Sequence, residues 1–155
     1  MRLTSFSDYT LHMLAFAAAA GDRLFTIEET ARAFGVSRAH LNKVANTLTR
    51  AGYLTAVRGR LDGLTLGRRP QDIRIGDVIR QSETDFRLVE CFDSQTNVCS
   101  LTPSCRLKHL LDQALKAYFK ELDGATLADI AKPINASGAS SAKPRLRSIP
   151  LKVQP

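Results

Sequence analysis

Between residues 6 and 50 the apolar positions recur at helical spacing; between 53 and 66 they form two short runs around a turn. Phe6, Tyr9, Leu11, Met13, Leu14, Phe16 and Ala17 give a broad apolar surface that predicts a helix over 7–20. Ser7 is placed to cap its first turn, Asp8 to favour the positive end of its dipole, and Gly21 to end it. Thr26-Ile-Glu-Glu29 is a capping box that opens a second helix, which runs to about Phe34 and stops at Gly35. Ser37 caps a third helix over 38–50, with Leu41, Val44, Ala45 and Leu48 as its inner face. Arg38, His40, Asn42, Lys43 and Asn46 are left for its other faces, and Gly52 follows as the stop.

Residues 53–57 read as a strand, Arg58-Gly-Arg-Leu-Asp-Gly63 as a turn, and 64–66 as the returning strand. Two helices closed by a glycine turn, then a hairpin with a basic tip, predict a winged helix-turn-helix. Its second helix would enter the DNA major groove and its hairpin would lie against the backbone or minor groove. A generic α/β core with a solvated basic turn is the plainer alternative. Spacing, caps and hairpin agree across one continuous stretch, which favours the winged helix.

Beyond a linker around Pro70, a short helix is expected over 75–79 and an extended segment over 86–90. Pro103 and Ser104 open a long helix to about Leu122, with a stripe of Leu107, Leu110, Leu111, Ala114, Leu115, Tyr118, Phe119 and Leu122. Its length, about 28 Å, suits pairing with a second copy, although packing within one chain would also cover the stripe. A last short helix is expected over 126–131. The segment from Pro133 is Ser, Ala, Pro and basic residues, which predicts disorder. The fold class is therefore mostly α with a small β-hairpin. The chain divides into a DNA-binding domain (1–80), a loop and dimerisation helix (81–131) and a basic tail (132–155).

The 155 residues carry 22 Lys and Arg against 15 Asp and Glu. Five of the basic residues and no acidic one lie in the tail, so 17 face 15 in the remainder. The charge of +7 is thus largely a tail property and says little about partners by itself. No apolar run approaches the ~20 residues that cross a bilayer, and no export leader is legible. A cytoplasmic protein with no membrane association is expected. No glycine-rich phosphate loop and no nucleophile motif is present, so no enzyme is expected.

All three cysteines, Cys91, Cys99 and Cys105, lie in one polar stretch with gaps of seven and five residues. Such an odd set argues against a disulfide framework. Idle thiols are the commonest fate of single cysteines, but clustering weakens that reading. Structural zinc usually takes cysteines two to four residues apart; His109 could join such a set. An iron–sulfur cluster accepts ligands from a wide loop. Spacing alone puts iron–sulfur only slightly above zinc.

Several stretches together resemble a known family. They are Met1-Arg-Leu-Thr-Ser-Phe-Ser-Asp-Tyr9, Val36-Ser-Arg-Ala-His-Leu-Asn-Lys-Val44, Ala51-Gly-Tyr-Leu-Thr-Ala-Val-Arg-Gly59, Ile73-Arg-Ile-Gly-Asp-Val-Ile79, Cys105-Arg-Leu-Lys108 and Thr126-Leu-Ala-Asp-Ile130. The chain resembles the bacterial winged-helix iron–sulfur regulators that include NsrR, IscR and RirA, most of all the nitric-oxide-sensing NsrR branch. The resemblance covers about residues 1–131. It implies a homodimeric repressor on palindromic double-stranded DNA, released when nitric oxide damages its cluster. It also implies one cluster per subunit, [4Fe-4S] rather than [2Fe-2S], on Cys91, Cys99 and Cys105. Asp8 of the partner subunit would be the fourth ligand; read from the residues alone, Asp8 is a helix-dipole carboxylate. Ser37, Arg38, His40 and Lys43 are the expected DNA contacts in the recognition helix, with Arg58 and Arg60 in the wing. Arg58 resembles the residue that enters the minor groove. Asp62 departs from the family's Gly-Gly and would retune that contact. The wide first gap also resembles the iron-responsive RirA branch, the alternative signal, and a DNA-binding module with structural zinc remains the third reading.

Overall fold

The computed structural model describes residues 2–59, 62–93, 95, 97–100 and 104–131. The expected tail, Arg60 and Pro103 lie outside the described residues. Helix α1 (Ser5–Ala20) begins two residues earlier than its pattern predicts. Thr4, not Ser7, is its cap: the Thr4 hydroxyl accepts the Ser7 N–H at 3.2 Å, while Ser7 itself is fully buried. The change puts Asp8 one turn into the helix, its N–H bonded to the Thr4 carbonyl at 3.0 Å.

Helices α2 (Ile27–Phe34) and α3 (Arg38–Arg50) form the helix-turn-helix. Both halves of the Thr26–Glu29 capping box are made, at 2.8 and 3.1 Å. Gly35 ends α2 in the left-handed region at φ 66°, a conformation costly for any residue with a Cβ. Leu41, Val44, Ala45 and Leu48 are all buried, as their spacing predicts. Strands β1 (Leu54–Val57) and β2 (Gly63–Leu66) pair antiparallel, with Leu54 opposite Leu66 and Val57 opposite Gly63. The wing is not free at its base. Phe25 and Leu64 exchange two backbone hydrogen bonds, at 3.0 and 2.8 Å, which ties it to the segment before α2.

A short 3-10 turn (Pro70–Asp72) leads into α4 (Ile75–Ser82), longer than the helix expected there. The expected extended segment over 86–90 forms no strand; a 3-10 turn covers Glu90–Phe92. Helix α5 (Arg106–Gly124) starts later than Pro103 and Ser104 suggest, because Cys105 is its cap. Helix α6 (Leu127–Ile130) follows directly and carries a second capping box, Thr126 with Asp129. Thr126 forms a β-bridge with Arg74. The Leu127 N–H donates to the Ile73 carbonyl at 2.8 Å, and the Ile75 N–H to the Ala125 carbonyl at 3.0 Å. The end of α5 is thereby clasped to the start of α4.

One apolar core serves all of this. Met13 and Leu14 of α1, Val44 of α3, Phe25, Leu54 of β1, Ile73, Val78 and Ile79 of the α4 region, and Leu127 of α6 are 2% exposed or less. Fully burying such a side chain gains about 1.5–3 kcal/mol, more than any single cap, so the core rather than the caps holds the helices in place. Gly76 marks the closest approach. A Cβ there would stand 1.9 Å from Asp123 Oδ1, so the Asp123 carboxylate sits where a side chain at residue 76 would go.

Candidate nucleic-acid interface and cysteine loop

The outward face of α3 carries Ser37, Arg38, His40 and Lys43, all exposed. Ser37 caps the helix: its Oγ accepts the His40 N–H at 3.4 Å and lies 3.1 Å from His40 Nδ1. Arg38, the first helical residue, pairs with Glu28 of α2, Nη1 to Oε2 at 3.1 Å. Arg58 is exposed where β1 enters the wing turn. Asp62 is part of that turn's architecture, since its Oδ1 accepts the Gly59 N–H at 2.7 Å. An open groove runs between helix and wing, lined by Glu28, Arg38, Asn42, Arg58, Gly59 and Asp62. Two of the basic residues expected to meet DNA, Arg38 and Arg58, are thus brought to one groove, with the carboxylates of Glu28 and Asp62 beside them. Glu28 was legible only as a first-turn acid of α2; its partner ten residues on belongs to the next helix and leaves no periodic signal.

The cysteines lie apart from this face along the chain. Cys91 is half-buried in the 3-10 turn, Cys99 is exposed, and Cys105 is half-buried at the start of α5. None of the three is in a disulfide. The Cys99 N–H donates to Asn97 Oδ1 at 3.0 Å, and Cys105 Sγ accepts the Lys108 N–H at 3.4 Å. Upstream, Arg87 binds Asp85 through Nε at 2.9 Å and also pairs with Asp93, which braces the stem of the loop. The Arg87 guanidinium holds the Asp85 carboxyl below the usual carboxylate range. Glu83 Oε1 accepts the Thr4 N–H at 2.6 Å, so the same stem touches the start of α1. Four residues past Thr4, the Asp8 carboxylate is exposed and lies 3.8 Å from His12 Nδ1; that ring stacks on Phe34 of α2 at 5.0 Å.

Among the described residues, no three of His, Cys, Asp or Glu stand close enough to hold a metal ion. One chain therefore gathers neither the three cysteines nor Asp8. His109, the possible zinc ligand, instead faces Gln113 on the next turn at 3.0 Å. The donor chemistry still suits an iron–sulfur group, with three cysteine sulfurs on one polar loop and none of them in a disulfide. No helix among the described residues is long and apolar enough to cross a membrane.

A helix-turn-helix with a two-stranded wing, basic on helix and wing alike, defines a winged-helix regulator. The family model for Rrf2, described as an iron-dependent transcriptional regulator, matches residues 3–133, and the chain belongs to that family. It is 45% identical over 133 residues to the HTH-type transcriptional regulator NsrR of Bacillus subtilis, covering 85% of this chain and 91% of that protein. It is 46% identical over 131 residues to the NsrR of Bacillus licheniformis, covering 84% and 92%. Among solved structures it is similar to IscR of T. potens, with a TM-score of 0.66, 26% identity, and coverage of 84% and 85%. The chain is a transcriptional regulator, as its resemblance implied, and not an enzyme.

Proposed function

We propose that this protein is a homodimeric iron–sulfur repressor that holds palindromic operator DNA and lets go when nitric oxide reaches its cluster. The observation that carries the reading is the set of three cysteines on one polar loop, none of them in a disulfide, in a chain 45% identical to a protein named NsrR. Cys91, Cys99 and Cys105 would hold a [4Fe-4S] group, with Asp8 of the partner subunit at the remaining iron. When bound, such a group supplies iron that reacts with nitric oxide, and a carboxylate is a weaker partner for that iron than a thiolate.

The chain's own residues supply the coupling. Asp8 lies in the first turns of α1, whose inner face is core, so a bond to Asp8 restrains the whole DNA-binding body. Cys105 caps α5, so its restraint fixes the start of the long helix. Leu107 and Leu110, each 61% exposed on that helix, suit contact with a second copy. Two recognition helices must sit about 34 Å apart to share a duplex, so a small rotation is enough to lose one half-site.

The test is DNA binding by protein purified without air, before and after titration with nitric oxide, beside an iron-chelator control. Broad visible absorption that bleaches as nitric oxide is added, with parallel loss of DNA binding and an Asp8→Ala variant that responds differently, supports the proposal. A response to the chelator alone favours iron sensing of the RirA kind. Colourless protein containing zinc refutes both.

A further inference from the structure

The geometry points to Glu28 as the residue that sets the sequence selectivity of Arg38, an inference that rests on the DNA-binding reading above. Arg38 is the first residue of the recognition helix, and the N-terminal residues of such helices are the ones that meet base edges. A guanidinium at that position has two uses. It can take a phosphate, which adds affinity without information, or it can place a donor fork on a guanine edge. Which one it does depends on how it is held.

Glu28 holds it from one side. Its Oε2 lies 3.1 Å from Arg38 Nη1, and its Oε1 lies 3.6 Å from Arg32 Nη2. The carboxylate is itself well placed. It is the second residue of α2, where a helix N-terminus favours negative charge, and the Thr26–Glu29 box fixes that turn. With Nη1 engaged, the Nε–Nη2 edge of Arg38 remains as the fork. The pair has little to offer stability, since the two side chains are 70% and 49% exposed. Its effect belongs to binding. A carboxylate in the groove also repels phosphate, as does Asp62 on the opposite wall. Glu28 therefore lowers affinity for DNA of any sequence and keeps Arg38 in the orientation that discriminates.

The experiment uses the full-length protein, purified without air, and a pool of duplexes randomised over about 30 base pairs, one turn on either side of a half-site pair. Wild type, Glu28→Gln and Arg38→Lys are each put through selection, then titrated against the wild-type winner and against an unselected duplex. In Glu28→Gln the winner-to-unselected affinity ratio should fall at least ~5-fold, the lower end of what one bidentate base contact contributes. Unselected DNA should bind tighter, with a salt slope steeper by about one, as Arg38 turns to phosphate. Preference should flatten at one symmetric base position per half-site. Arg38→Lys should flatten the same position, and the double variant should be no worse than Arg38→Lys alone. An unchanged ratio and base profile in Glu28→Gln, at unchanged melting temperature, overturns the inference, as do additive effects of the two substitutions. If wild type enriches no sequence, the DNA-binding reading fails and this inference fails with it.

Discussion

Cys105 occupies the position before a helix where serine, threonine, aspartate or asparagine usually stands. Its sulfur accepts the Lys108 N–H, so one side chain is both helix cap and proposed ligand. The two roles separate by substitution. Cys105→Ser keeps a capping oxygen and removes the thiolate, whereas Cys105→Ala removes both. Urea denaturation of metal-free protein should find Cys105→Ser as stable as wild type or slightly more so. Cys105→Ala should lose about 0.5–1 kcal/mol. Neither variant should show the visible absorption of the proposed cluster. A Cys105→Ser protein that retained full absorption would remove Cys105 from the ligand set. The residue-level errors of sequence reading have the same root. Ser104 is a favoured cap and cysteine is not, so hydroxyl preference pointed one residue too early. Thr4 and Ser7 are both capping types three residues apart, and only burial of Ser7 decides between them.

At the level of elements, α5 has two unlike halves. Its C-terminal half is anchored. Arg80 binds Asp123 through two bonds of 2.6 and 2.8 Å and lies over the Phe119 ring at 4.3 Å, and Phe86 meets the same ring at 4.8 Å. The Arg80 guanidinium holds the Asp123 carboxyl below the usual range, so this contribution is present above about pH 4 and is lost as pH falls through the lower native value. Its N-terminal half keeps Leu107 and Leu110 in solvent. Gly76 tests how the anchored half is seated. Glycine to alanine within a helix ordinarily gains up to ~1 kcal/mol. Here the added methyl meets the Asp123 carboxylate, so Gly76→Ala should lower the melting temperature and weaken the attachment of α5. A rise in melting temperature would show that Asp123 yields without cost. The helix-turn-helix was legible because its signals are local: caps, a left-handed glycine and a four-residue period. The apolar stripe of α5 was legible as well, but not its division between body and solvent. That depends on Gly76, Arg80 and Phe86, which are more than 20 residues away in sequence.

The molecule as a whole is held by contacts of still longer range. Leu127 is fully buried although it belongs to a helix of only four residues. It fills the shared core while its N–H bonds to Ile73. Leu127→Ala should cost roughly 2–5 kcal/mol and lower the melting temperature by about 10 °C, read by calorimetry. A loss below about 1 kcal/mol would mean that α6 is a passenger rather than part of the core. Nothing in the sequence announces this clasp, since single β-bridges between residues some fifty positions apart leave no repeat. Its consequence reaches past stability. Because Ile73 and Ile75 meet Ala125 and Leu127, the chain departs and returns at one point, with the cysteine loop and long helix forming the excursion between. A segment whose ends coincide is an interchangeable cassette. Exchange of the segment between residues 83 and 122 among relatives should therefore leave the recognition helix in place, and such a graft should keep its melting temperature and DNA binding where cuts elsewhere lose them.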